Sequence, residues 1–237
     1  MKMNKLFTAI LVVIGFTQIK AQNSNSLSSS PYSLYGLGLE NPLSTGKNDG
    51  LGYAGLAMTS ANSLNLLNPA SLGGINQHSL FYNIGFKLES KYLEQNRDSE
   101  HITSGNFSNL ALGMAINNRS GIALSLMPKT DVGYEVSGLY SPIEGSSELF
   151  ETEAEGNGGL NNFMLSYGYA LTDKLRFGAN ASLLFGEITE TQFNYIQSNI
   201  LYIADENDYS GFRFGAGLQY DLSKSISLGL TAKTPVS

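Results

Sequence analysis

The sequence predicts an all-β fold: an antiparallel transmembrane β-barrel with an N-terminal plug. Three observations predict it. Seven stretches after residue 77 alternate apolar and small or polar residues with a period of two, the signature of a strand with two unlike faces. The connections between them alternate between tight turns and long segments, the one-sided pattern of outer-membrane barrels. Charged residues make up 14% of the chain, well below the ~25% usual for soluble domains. No apolar run after the N-terminus reaches helix-spanning length, and only helices and closed barrels satisfy every backbone group in lipid.

The N-terminus is read first. Lys2 and Lys5 precede the apolar run Leu6–Phe16, a polar stretch follows, and Ala21 offers a small residue before a cut. That order predicts a secretory signal peptide over residues 1–21. The chain has no cysteine, so no disulfide framework, thiol nucleophile or lipidated cysteine is available. Residues 22–49 read as a flexible polar segment. Gly46-Lys47 within it lacks the spaced glycine and the following Ser/Thr of a phosphate loop. Residues 50–76, rich in glycine, alanine and serine and carrying Asn68-Pro69-Ala70, are too interrupted for an amphipathic helix. They read as a plug, or hatch, inside the barrel wall formed by residues 77–237.

The strands follow in order: Ser79–Glu89, Ser108–Asn117, Gly121–Met127, Leu160–Leu171, Leu175–Phe185, Phe212–Leu222 and Ser225–Lys233. Their apolar faces are predicted to point outward. The opposite faces carry Gly, Ala, Ser and Asn, suited to a crowded interior. Tight turns fall at Asn118–Ser120, Thr172–Lys174 and Ser223-Lys224. Long loops are expected over Lys91–Gly105, Ser137–Gly159 and Glu187–Gly211. Tyr82, Tyr134, Tyr167, Tyr169 and Tyr220 are expected in interfacial girdles. Pro128 removes a ladder donor and Gly133 loosens the backbone, so the third strand should kink between them. About seven strands is an odd count for single-chain bacterial barrels, which are even and begin at eight. The chain therefore reads as the first part of a longer barrel.

The Gly/Ala-rich segment with LNPASL, the kinked third strand and the pairs LNNFMLSYGYALTDKLRFGANASLLFGE and GFRFGAGLQYDLSKSISLGLTAKTP resemble the FadL-type (OMPP1/FadL/TodX) outer-membrane transporters of hydrophobic compounds. The resemblance runs from about Gly50 to the end. It implies a fourteen-stranded barrel, of which about seven strands are present here. It also implies a hatch at Asn68, Pro69 and Ala70 on the substrate path, and a lateral opening at the kink of Pro128 and Gly133. The implied function is passive uptake of hydrophobic small molecules, fatty-acid-like or aromatic, with lateral release into the outer membrane. The lumenal arginine of fatty-acid-handling members is replaced by Gln192. Arg213 and Lys87, both at inward positions, are the candidate contacts for an anionic head group, with an ion pair to lumenal carboxylates as the competing reading. The polar start SSSPYSLYGLG resembles a divergent branch related to secretion-associated barrels. The alternative function is accordingly a non-transporting barrel that partners an outer-membrane secretion or assembly complex.

Other chemistries find little support. A net charge of -6 disfavours a nucleic-acid partner. His78 and His101 lack metal-ligand spacing, so no metal is expected. Glu144, Glu148, Glu151, Glu153 and Glu155 lack the spacing and turn glycine of a calcium loop. No G-x-S-x-G elbow or paired catalytic carboxylates stand out. The expectation is a non-enzymatic protein without cofactor, in contact with outer-membrane lipids and a hydrophobic ligand or secretion-machinery proteins.

Overall fold

Strands of period two need a ladder on each side, and the chain provides one by folding back at each tight turn. The computed structural model describes residues 30–60, 63–95, 98–142, 149–196 and 198–237; the predicted signal peptide, Glu144 and Glu148 lie outside them. The strands are β1 (Leu39–Glu40), β2 (Leu80–Gln95), β3 (Asp98–Asn117), β4 (Ser120–Pro128), β5 (Thr130–Pro142), β6 (Leu149–Ala170), β7 (Leu175–Ile196), β8 (Asn199–Asp221) and β9 (Ser227–Lys233). They form one antiparallel, curled sheet in the order β2-β3-β4-β6-β7-β8-β9, with β5 continuing β4 along β6 and β1 on the other side of β5. The sheet is a half-barrel, and the 3-10 turn Pro69–Gly74 packs against β4, β6, β7 and β8.

The predicted alternation sets the two faces. Leu110, Leu112, Met114 and Ile116 of β3 are exposed on the convex side. So are Leu165, Tyr167 and Tyr169 of β6 with Leu171 just past it, and Phe212, Phe214 and Tyr220 of β8 with Leu222 just past it. The concave side carries Ala111, Ala123, Met127 and Met164, which pack with Leu43 of the N-terminal segment and with Leu64, Leu66 and Leu72 of the 50–76 stretch. Tyr134 departs from its expected girdle position. It is 5% exposed and belongs to a second concave cluster with Val132, Ala154 and Ile188.

Among the described residues, the expected long loops are largely strand. β2 and β3 pair from Leu80↔Met114 to Gln95↔Asp98, β6 and β7 from Ala170↔Arg176 to Glu151↔Tyr195, and β7 and β8 from Leu175↔Tyr220 to Ile196↔Asn199. Apolar alternation ceases beyond the middle of each hairpin, but the backbone ladder continues. Thr, Ile, Tyr and Phe maintain strand propensity there, with apolar and charged residues mixed and no strict two-residue alternation.

The predicted kink divides one strand into β4 and β5. Both pair with β6: Pro128 lies opposite Asn161, and Val132 opposite Gly158. Across the break the Lys129 N–H donates to the Leu160 carbonyl at 2.6 Å, and the Leu160 N–H donates to Thr130 Oγ1 at 3.1 Å. Gly158 and Gly159 of β6 adopt positive φ (120° and 143°), a region open to glycine. The bend thus continues into β6. β3 follows β4 only as far as Leu110↔Leu126, and the wall parts above that row.

Candidate functional site

The site is the seat of the Pro69–Gly74 turn, in the segment read from sequence as the plug, and it is built from backbone. Gly121 of β4, Gly168 of β6, Gly178 of β7 and Gly217 of β8 are direct ladder partners in sequence: Gly121↔Gly168, Gly168↔Gly178, Gly178↔Gly217. Four adjacent strands therefore present a straight row without side chains on the concave face. The 3-10 turn Pro69–Gly74 lies in the resulting groove. A Cβ on Gly168 would fall 2.4 Å from the Pro69 carbonyl oxygen, one on Gly178 2.3 Å from Ala70 N, one on Gly217 2.0 Å from Asn68 Oδ1, and one on Gly121 2.5 Å from the Leu72 oxygen. Real Cβ atoms do not approach so closely, so the row is the condition for the plug to sit there.

Asn68, Pro69 and Ala70 are all buried. Pro69 occupies the start of the turn, where its missing N–H costs nothing. Asn68 caps the turn: its Oδ1 accepts from the Ala70 N–H at 3.0 Å. Its amide also donates to the Leu56 carbonyl at 2.9 Å and to the Leu218 carbonyl of β8 at 3.1 Å. One side chain thus ties turn, upstream plug and wall together. Gln219, the next residue of β8 and wholly buried, donates to the same Leu56 carbonyl at 2.9 Å and accepts from Thr59 Oγ1 at 2.7 Å. Arg176 donates to Asp221 Oδ2 at 2.7 Å and reaches Thr59 Oγ1 at 3.4 Å. The glycine row, Gln219 and Thr59 were not singled out from sequence. Gly168 and Gly178, both inward and each four residues from the Thr172–Lys174 turn, were the signal that could have located the row.

The break holds a second feature. The described part of the 22–49 segment runs along the free edge of β5. Leu39 pairs with Asp131 and Glu40 with Thr130. The Ser30 N–H donates to the Gly133 carbonyl at 2.9 Å, and the Gly133 N–H to Ser33 Oγ at 3.1 Å. The Asn41 N–H donates to the Lys129 carbonyl at 2.8 Å, and its amide to Asp131 Oδ2 at 2.5 Å. Lys129 and Glu40 form an ion pair. This strap covers Gly133, and the kink residues Pro128 and Gly133 do not meet the hatch residues.

Arg213 and Lys87 are also apart. Lys87 lines a 330 Å³ cavity at the parting of the wall, together with Asn41, Asp49, Tyr53, Phe107 and Asp131; Arg213 is not among its lining. Lys87 is ion-paired to Glu89 at 3.4 Å. Arg213 is half-buried on the concave face of β8, on the same side as Lys233. Burial is the main influence on Asp131 and Asp49 and raises both carboxyls above their ordinary value; the positive charge of Lys87 opposes it. Lys129, through its hydrogen bond and then its charge, holds Glu40 below its ordinary value.

The chain matches the family model described as BamG over residues 3–236. No curated protein and no solved structure matches it. The match overturns the FadL-type resemblance and, with it, the reading as a transporter of hydrophobic compounds. The features behind that resemblance, alternating strands, tight turns on one side and a small-residue plug, are demanded by any plugged barrel wall. They identify the architecture and not the cargo. With a family model covering it almost from end to end, the chain belongs to the BamG family.

Proposed function

We propose that this chain is an integral outer-membrane subunit that serves the outer-membrane assembly (Bam) complex as a structural partner and does no chemistry of its own. The observation that carries the reading is the BamG family match over residues 3–236, which associates the chain with that complex and with the outer membrane. Two features of the molecule support it. The convex apolar band on β6, from Phe163 to Leu171, spans nine residues. At ~3.3 Å per residue that approaches the ~25 Å apolar belt of outer-membrane barrels once strand tilt is allowed for. The plug is interlocked with the wall through Asn68, Gln219 and the glycine row, an arrangement suited to a rigid scaffold. In this orientation the long hairpins of β2–β3 and β5–β8 stand outside the belt, where contacts with other subunits would be made.

The test is affinity purification of the full-length tagged protein from outer membranes solubilised in mild detergent. Stoichiometric recovery of the assembly-complex subunits is expected. Recovery of the folded protein alone, across several detergents, would sink the proposal.

A further inference from the structure

We infer that the cleft between β3 and β5 is a strand-addition site for an extended, lysine- or arginine-bearing segment of a partner protein; the inference rests on the partner role proposed above. The cleft begins where β3 leaves β4, above the row Leu110↔Leu126. From there upward, no strand among the described residues pairs with the facing side of β3 over 98–105 or of β5 over 134–142. Unpaired edges of this kind bind extended chain through main-chain hydrogen bonds. The molecule already uses that mode one step lower. Its own strap adds Leu39 and Glu40 to β5 as a short antiparallel strand and continues to Gly133 through Ser30.

The cavity at the base of the cleft specifies what the incoming chain should carry. Phe86 and Phe107 stand edge to face with centroids 6.3 Å apart, and Tyr53 joins them in the lining. That surface suits the aliphatic stem of a long side chain. Asp49 and Asp131 lie in the same lining. Among the described residues, Asp131 takes a hydrogen bond from Asn41 but no cation within 4.0 Å. Lys87, the lysine in the lining, is engaged by Glu89, which also holds Lys91 at 3.6 Å. The facing charges are thus Asp49, Asp131 and Glu89 against Lys87 and Lys91. Above them β5 and β6 bring Glu135, Glu151, Glu153 and Glu155 and no lysine or arginine. Opposite charge on the incoming segment answers that imbalance. Residues 22–29 of this chain, QNSNSLSS, carry no charged side chain and do not answer it.

The absence of cysteine makes a clean test possible. Single variants Ser108→Cys and Glu135→Cys of the full-length protein, with Tyr167→Cys as a control on the apolar face, would be labelled with a benzophenone maleimide. They would be irradiated in intact outer membranes, and the linked peptides sequenced by mass spectrometry. Adducts from positions 108 and 135 are expected to map to one basic segment of a co-purifying subunit. The corresponding synthetic peptide should compete for the site, and its Lys/Arg-to-Ala version should not. Asp49→Asn with Asp131→Asn should cut the adduct yield about ten-fold, on the scale of a charge-assisted hydrogen bond, with co-purification retained. No adduct, or adducts to lipid, to residues 22–29 or to a segment without basic residues, would overturn the inference. If the complex still co-purifies in that case, the partner role survives; if it does not, both fall.

Discussion

At the scale of single residues, the plug is held by what the wall leaves out. A side chain on Gly178 would meet Ala70 N and the Pro69 carbonyl carbon, both at 2.3 Å. These are backbone atoms and cannot rotate away. Gly178→Val should therefore lower stability by about 1–3 kcal/mol or expel the plug, as overpacking does. It would show as a loss of heat-modifiable migration or a fall in melting temperature. Gly46→Ala is the matched control: a Cβ there meets nothing within 4 Å, and the glycine sits in a helical turn, so no loss of stability is expected. Asn68→Ala removes the cap on the Ala70 N–H and the donor to the Leu56 and Leu218 carbonyls. A lost cap costs about 0.5–2 kcal/mol and a buried group left unpaired about 1–3, so thermal unfolding should move down by several degrees. Asn68→Asp retains the acceptor and places a charge where a donor is needed, and should be the worse of the two.

At the scale of elements, the strap and the broken strand titrate in opposite senses. Glu40 is held below its ordinary value by Lys129. Its contribution is present above the ordinary carboxylate range and is lost as pH falls through the lowered folded value. Asp131 is raised, chiefly by burial. Its charged form burdens the fold at neutral pH, and acidification through the raised value relieves that burden. Protection of the Asn41 amide, bonded to Lys129, should therefore rise and then fall as pH drops from about 6 to 3. Hydrogen exchange would show it, with Asp131→Asn removing the rise and Glu40→Gln flattening the fall. The Glu40 effect will stay under about 1 kcal/mol, because its side chain is 73% exposed. These elements differ in how well the sequence displays them. The seven alternating stretches were legible because apolar and small residues trade places every second position. The break between β4 and β5 falls at Lys129, next to Pro128, the residue that cannot donate. The far halves of the hairpins were not legible: over 187–211 apolar residues come in runs such as Ile200 to Ile203 rather than at every second position. The strap escaped too, since its pairing with Thr130 and Asp131 depends on a gap that exists only once β3 has parted from β4. Arg213 and Lys87 share an inward parity but sit on different walls, which periodicity cannot distinguish.

At the scale of the whole molecule, an apolar convex band and the long hairpins beyond it divide the labour. The band ends near Phe163 and Phe212, yet β7 and β8 stay paired far beyond, through Glu190↔Asp205 to Ile196↔Asn199. Two like-charged pairs, Glu187↔Asp208 and Glu190↔Asp205, face one another directly on the way, a cost of up to about 1 kcal/mol each. Neither pair contributes to burying the plug. Shortening this hairpin is therefore predicted to separate folding from partnership. Removing residues 192–203 and joining Thr191 to Ala204, which are ladder partners, through Asn-Gly keeps the register and supplies a favoured hairpin turn. The trimmed protein should insert and keep its heat-modifiable migration, because the glycine row and Asn68 lie at the other end of the strands. Recovery of assembly-complex subunits on affinity purification should fall several-fold. Undiminished recovery would move the contact surface off β7–β8 and onto β2–β3 or the periplasmic turns.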